Sequence, residues 1–126
     1  MVPCPFCSIT PDRIWIETEH AIAFADSQPV ADGHLIVAPR RHVSTIHALT
    51  IVEQKAIWDL VAQVREQLLT GLKPESLAIG FSDGLAPVQT DLHAHVHVVP
   101  RRAGDPPEPR DGIQWLAHDT LGWPKG

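Results

Sequence analysis

With 126 residues, 44% of them apolar and 20% charged, the chain has the length and composition of one globular domain with its own core. A formal charge of −5 argues against a general nucleic-acid binder, which needs an electropositive face. No run approaches the roughly 18 consecutive apolar residues of a transmembrane helix, and Met1 to Cys7 holds neither a basic nor an apolar leader stretch, so a cytoplasmic location and no membrane partner are expected.

Arg13 to Glu17 alternates polar and apolar side chains and is expected to form the first strand. Thr18-Glu19-His20 then turns the chain into a second, Ala21 to Ala25. Asp26 to Gly33 is rich in turn formers and reads as a loop, followed by a third strand from His34 to Ala38 that Pro39 stops. Thr50-Ile51-Val52-Glu53 fits a capping box, with Ile57, Leu60, Val61, Val64 and Leu68 at helical spacing behind it and Gly71 as the stop. A fourth strand is expected over Leu77 to Phe81, a loop over Ser82 to Val88, and a fifth strand over Leu92 to Val99, ended by Pro100. The order β-β-β-α-β-β predicts an α+β domain over 1–105: a five-stranded antiparallel sheet with one main helix. Its open edges would be managed by dimerisation. Residues 106–126 read as a Pro-rich tail packed on or near that domain.

The chemistry concentrates in His93-Ala94-His95-Val96-His97. On a strand, His93, His95 and His97 share one face and Ala94, Val96 and Val98 the other, with same-face neighbours roughly 6–7 Å apart. That spacing suits an extended anion such as a di- or triphosphate. A solvated polar face would explain the histidines, but not the small and β-branched apolar residues between them. One strand also cannot wrap three alternating imidazoles around a single ion without help from elsewhere. A neutral imidazole held in one tautomer can attack phosphorus and form a phosphoramidate-type intermediate that water resolves, flanking histidines binding oxygen or supplying a proton.

His93 to Val99 resembles the His-φ-His-φ-His-φ-φ signature of the histidine triad (HIT) family at all seven positions, φ being apolar. Gln89-Thr90 is similar to the Gln-Ser/Thr pair before that triad. Asp32 to His42 resembles the family's Gly-His-x-Leu-Val-x-Pro-Lys-x-His segment, and Pro100 to Asp105 the extension of bacterial members; the likeness runs from about residue 4 to 105. It implies a HIT-like fold, a homodimer and hydrolysis or transfer of a nucleoside monophosphate group. The substrate would be a purine nucleotide, as a nucleoside phosphoramidate or a dinucleoside polyphosphate. By the same resemblance His95 is the nucleophile, His97 serves the phosphate and leaving group, and His34 lies beneath the triad and tunes it. Gln89 and Thr90 hold phosphate oxygens, Asp26 accepts from a ribose hydroxyl, and Ser82 stands where the family commonly has a substrate-facing Asn. Val88 and Asp91 depart from the usual glycine and aliphatic residue.

Cys4-Pro5-Phe6-Cys7 looks like a glutaredoxin motif, but that motif needs a preceding strand and an opening helix. With three residues before Cys4 and Pro11 where the helix should continue, the redox reading is the weaker expectation. As half of a tetrahedral zinc site the pair needs two more ligands. The resemblance to zinc-containing bacterial HIT proteins supplies them, giving Cys4, Cys7, His42 and His93 and a closed, structural site; the plain alternative is two buried thiols. His20, His47 and His118 read as surface or loop residues, and Trp15, Trp58 and Trp115 as core or interface anchors. Arg40, Arg41, Arg101 and Arg102 would meet a distal phosphate or line a solvated face. Two other classes of function stay open: a non-catalytic nucleotide-binding regulatory module, and a thiol oxidoreductase whose exchange activity would survive loss of His95.

Overall fold

The computed structural model describes residues 4–27, 29, 31–81 and 93–105. Strands β1 (Ile14–Glu17), β2 (Ala21–Ala25), β3 (Leu35–Pro39), β4 (Ser76–Gly80) and β5 (Val96–Arg101) build one sheet in the order β1-β2-β3-β5-β4, every pairing antiparallel. The α-helix α1 (Ile51–Gly71) crosses between β3 and β4. The α+β architecture expected from the sequence is the one observed.

Strand alternation divides the interior into two layers. Ala21, Ala23, Leu35, Val37, Val96 and Val98 pack with Ile57, Leu60, Val61, Val64 and Leu68 of α1. On the opposite face Ile22, Phe24, Ile36 and Ala38 are covered by Phe6, Ile9 and Ile14. Because both faces of the central strands are buried, β2 and β3 read as nearly continuous apolar runs. Ile36 stands opposite His97 in the β3–β5 register, so the histidines lie on the face away from the helix.

The start of α1 is fixed as its sequence demands. The Thr50 side chain accepts from the Glu53 N–H at 3.1 Å, and Glu53 Oε1 accepts from the Thr50 N–H at 3.0 Å. Arg41 adds a two-pronged contact, Nε to Oε2 at 3.0 Å and Nη2 to Oε1 at 2.9 Å, which ties the segment after β3 to the helix. The Arg41 hydrogen bonds, then the backbone bond from Thr50, pull the Glu53 carboxyl from its ordinary 4.5 to about 2. Gly33 closes the turn into β3 with φ +84°, a conformation that costs an L side chain dearly.

Several boundaries differ from the sequence reading. Arg13 belongs to a 3-10 turn, Pro11–Arg13, closed by its N–H on the Thr10 carbonyl at 2.9 Å, because proline opens such a turn; β1 therefore starts at Ile14. β4 runs one residue earlier than expected, and a further 3-10 turn, Ile46–Ala48, precedes the helix. β5 continues through Pro100, and Pro39 ends β3 from within. Glu75 N–H donates to the Arg101 carbonyl, so Arg101 faces β4 and the Pro100 nitrogen faces the other way, where pairing with β3 has ended at Leu35. The missing donor thus falls where no ladder bond is needed. Trp15 and Trp58 are not core residues, being 45% and 41% exposed. Leu92, Trp115, His118 and the tail 106–126 lie outside the described residues.

Candidate functional site

His93, His95 and His97 lead into and occupy β5, while Ala94, Val96 and Val98 are buried toward the helix, as alternation requires. Ala94 N–H donates to the Val43 carbonyl at 2.7 Å, which extends the pairing upstream of the strand proper. The three imidazoles then take different partners. His95 Nδ1 lies 2.9 Å from the His93 carbonyl oxygen. A carbonyl only accepts, so Nδ1 is the donor, and in the neutral imidazole Nε2 keeps its lone pair. The His95 ring meets the rings of Phe6 and His97 edge-on, at centroid distances of 4.8 and 4.9 Å.

His97 Nδ1 is 2.9 Å from His34 Nε2, and Asp26 Oδ2 lies 3.3 Å from that His34 nitrogen and 3.7 Å from His97 Nδ1. Asp26 follows β2 and His34 precedes β3. The Asp26 N–H donates to the His34 carbonyl at 3.1 Å, so the two loop ends are stitched together beneath His97. The structure thus brings His34, Asp26, His95 and His97 together. Ser82, Gln89 and Thr90, with Val88 and Asp91, lie outside the described residues.

His93 is fully buried and turns away from the other two. Its Nε2 donates to the Pro39 carbonyl at 2.8 Å, leaving the Nδ1 lone pair to face Cys4 Sγ at 3.4 Å, Cys7 Sγ at 3.6 Å and His42 Nδ1 at 3.2 Å. Cys7 Sγ is 3.1 Å from His42 Nδ1, and the four donor atoms all lie within 4.8 Å of one another. A tetrahedral zinc ion, about 2.05 Å from nitrogen and 2.3 Å from sulfur, requires N–N and N–S edges of about 3.3 and 3.5 Å. The donor set and its spacing fit such an ion. Burial, then the hydrogen bond and charge of Cys4, raise the Cys7 thiol above its ordinary value, and a bound cation would oppose the charge effect.

Phe6, which sequence reasoning passed over, joins the two groups. Besides His95 it touches the rings of His93 at 5.8 Å and Phe24 at 5.3 Å. The available signal was its place inside Cys4-Pro5-Phe6-Cys7, a turn closed by Cys7 N–H on the Cys4 carbonyl at 3.2 Å. The arginines considered for a distal phosphate have protein partners. Arg41 holds Glu53, Arg40 holds Glu17 at 3.0 Å, Arg101 Nε is 3.8 Å from Asp105, and Arg102 donates to the Leu72 carbonyl at 2.6 Å.

A five-stranded antiparallel sheet with alternating histidines on the strand beside β3, a Gly-His turn feeding β3 and a Cys/His cluster at the triad's first position defines a histidine-triad domain. The chain belongs to the HIT family: the HIT domain model matches residues 9–104. It is 37% identical to an uncharacterised HIT-like protein of Mycoplasma genitalium, over 78% of this chain and 72% of that protein. It is 32% identical to the bifunctional bis(5'-adenosyl)-triphosphatase/adenylylsulfatase of Arabidopsis thaliana, over 77% of this chain but only 54% of that protein. Among solved structures, a zinc-bound histidine triad protein of Mycobacterium smegmatis superposes with a TM-score of 0.72 at 30% identity, covering 81% of this chain and 77% of the other. No helix among the described residues is long and apolar enough to cross a membrane.

Proposed function

We propose that the protein hydrolyses or transfers the nucleoside monophosphate group of phosphoramidates or dinucleoside polyphosphates through a covalent nucleotidyl–His95 intermediate. The observation that carries this reading is the His95 Nδ1 contact with the His93 carbonyl, which frees Nε2 for attack. His95 Nε2 bonds to the α-phosphorus as the bond to the leaving amine or phosphate breaks, and the leaving group takes a proton from His97. Water then attacks phosphorus and gives its proton to His97, restoring the one His97 lost, while the P–N bond to His95 breaks and the nucleoside monophosphate leaves with His95 neutral again. Gln89 and Thr90 would hold phosphate oxygens, Ser82 would contact the substrate, and Asp26 would accept from a ribose hydroxyl of a purine nucleotide. The Arabidopsis relative, a bis(5'-adenosyl)-triphosphatase by name, supports this substrate class.

Cys4, Cys7, His42 and His93 would hold a structural zinc ion. Four protein ligands close its coordination, so its contribution would be to fasten the N-terminal turn to the triad strand. The zinc-bound Mycobacterium smegmatis protein supports that assignment. A cytoplasmic homodimer would form along β4, an outer strand of the described sheet, where Ile79, Phe81 and the Trp58 ring tilted against Phe81 stand exposed.

The decisive experiment compares the wild-type chain with His95→Ala on adenosine phosphoramidate and on diadenosine tetraphosphate, following AMP release. Loss of the nucleophile should slow turnover by on the order of 1000-fold or more. AMP release by the variant at the wild-type rate would sink the assignment, and thiol–disulfide exchange by that variant would favour the oxidoreductase reading.

A further inference from the structure

We infer that Asp26, His34 and His97 form a second metal site, of the two-histidine, one-carboxylate kind, that takes a divalent transition-metal ion in competition with the nucleotide. The three donors come from three separate places: the end of β2, the turn before β3, and β5 itself. Asp26 Oδ2, His34 Nε2 and His97 Nδ1 nevertheless form a triangle with edges of 3.3, 2.9 and 3.7 Å. The point in the plane of this triangle that is equidistant from its corners lies about 1.9 Å from each atom, close to the 2.0–2.2 Å of zinc bonds to imidazole and carboxylate. An ion displaced slightly from that plane meets all three at full bond length and keeps its remaining positions open on one face.

Enclosure supports the same conclusion. The His34 and Asp26 side chains are 1% and 12% exposed, so little water competes for their donor atoms, and the 24% exposure of His97 leaves one way in. The donor chemistry sets the class of ion. Two imidazole nitrogens and one carboxylate suit Zn2+, Co2+, Ni2+ or Fe2+, whereas Mg2+ and Ca2+ prefer an all-oxygen shell. The absence of sulfur separates this site from the Cys4–Cys7–His42–His93 cluster.

The competition rests on the hydrolase reading proposed above, in which Asp26 takes the ribose and His97 the phosphate. An ion bonded to Asp26 Oδ2 takes the carboxylate that would accept from the ribose and fixes His97 through Nδ1, so it excludes the nucleotide and inhibits turnover.

The test is a Co2+ titration of the full-length, metal-stripped chain by absorption spectroscopy and equilibrium dialysis. The wild type should bind two equivalents. One carries intense thiolate-to-cobalt charge transfer; the other shows only ligand-field bands. Asp26→Asn and His97→Asn should each lose the second and keep the first, and Cys7→Ser should do the reverse. AMP should displace only the equivalent without charge transfer. A wild type that saturates at one equivalent, both Asn variants still binding two, or a second ion undisturbed by saturating AMP would each overturn the inference. Should His95→Ala retain full turnover, the proposed activity falls while these stoichiometries still stand or fall on their own.

Discussion

Gly33→Ala is expected to damage the fold and the site together, and its cost can be built from the structure. Gly33 has φ +84°, so an alanine there bears the left-handed penalty of about 1–2 kcal/mol. Its Cβ would also stand 2.5 Å from Leu72 Cδ1, 3.1 Å from Pro100 Cγ and 3.3 Å from Leu68 Cδ2. The leucine methyls can swing aside, but the proline ring in β5 has little freedom, and overpacking of this kind costs about 1–3 kcal/mol. The sum is about 2–5 kcal/mol, or a fall in Tm on the order of 10 °C for a domain of this size. Because the next residue is His34, relieving the strain also moves the imidazole that meets Asp26 and His97. AMP release should therefore decline at temperatures where the variant remains folded. Thermal unfolding by circular dichroism gives the first quantity and steady-state kinetics the second. Gly71→Ala is the control, since its Cβ would meet nothing within 4 Å at the end of α1, and it should leave Tm unchanged or slightly raised. A Gly33→Ala protein that melts within 2 °C of the wild type, taking that margin as about 0.5 kcal/mol, would refute the reasoning.

Three further outcomes are expected. Glu53 has a folded-state value lowered from 4.5 to about 2, so its stabilising contribution is present above pH 4.5 and is lost as the pH falls toward 2. Urea midpoints of the wild type and Glu53→Gln should accordingly be well separated at pH 7 and converge near pH 2; a constant gap across that range would contradict the Arg41–Glu53 assignment. Chelation of the proposed zinc should lower Tm by several degrees in the wild type and by clearly less in Cys7→Ser, with metal content followed by emission spectrometry. Phe6→Ala removes the ring edge from His95, and kcat should drop by about tenfold, equivalent to about 1.4 kcal/mol, with a smaller change in KM. An unchanged kcat would show that Phe6 does not restrain His95.

Much of this was legible in the chain itself, for identifiable reasons. The capping box at Thr50 and the apolar spacing from Ile57 to Leu68 are local signals that survive folding, and α1 obeys them. Alternation around Ala94, Val96 and Val98 gave the facing of the triad, because one side of β5 is buried against the helix. Strand ends were less legible where proline was involved. Whether Pro39 or Pro100 breaks a strand depends on which neighbour its nitrogen faces, and only the tertiary register decides that. The grouping of Asp26 with His34 and His97 is likewise a product of topology, since a turn and a strand distant in sequence converge beneath β5. The half-exposed Trp58 shows that helical periodicity locates a buried stripe without saying which aromatic residues lie just outside it.

What reaches His95 from its neighbour is a backbone carbonyl, a group that every residue possesses. Orientation of the His95 ring therefore makes no demand on the identity of the side chain at position 93, only on where its peptide lies. That side chain was free to be conscripted for fastening, with one nitrogen on Pro39 and the other aimed at Cys4, Cys7 and His42. The two duties meet at a single alpha carbon but are separable in evolution. A lineage could replace the cysteine clasp with apolar packing, and give up the histidine there, without retuning the His95 ring two residues on.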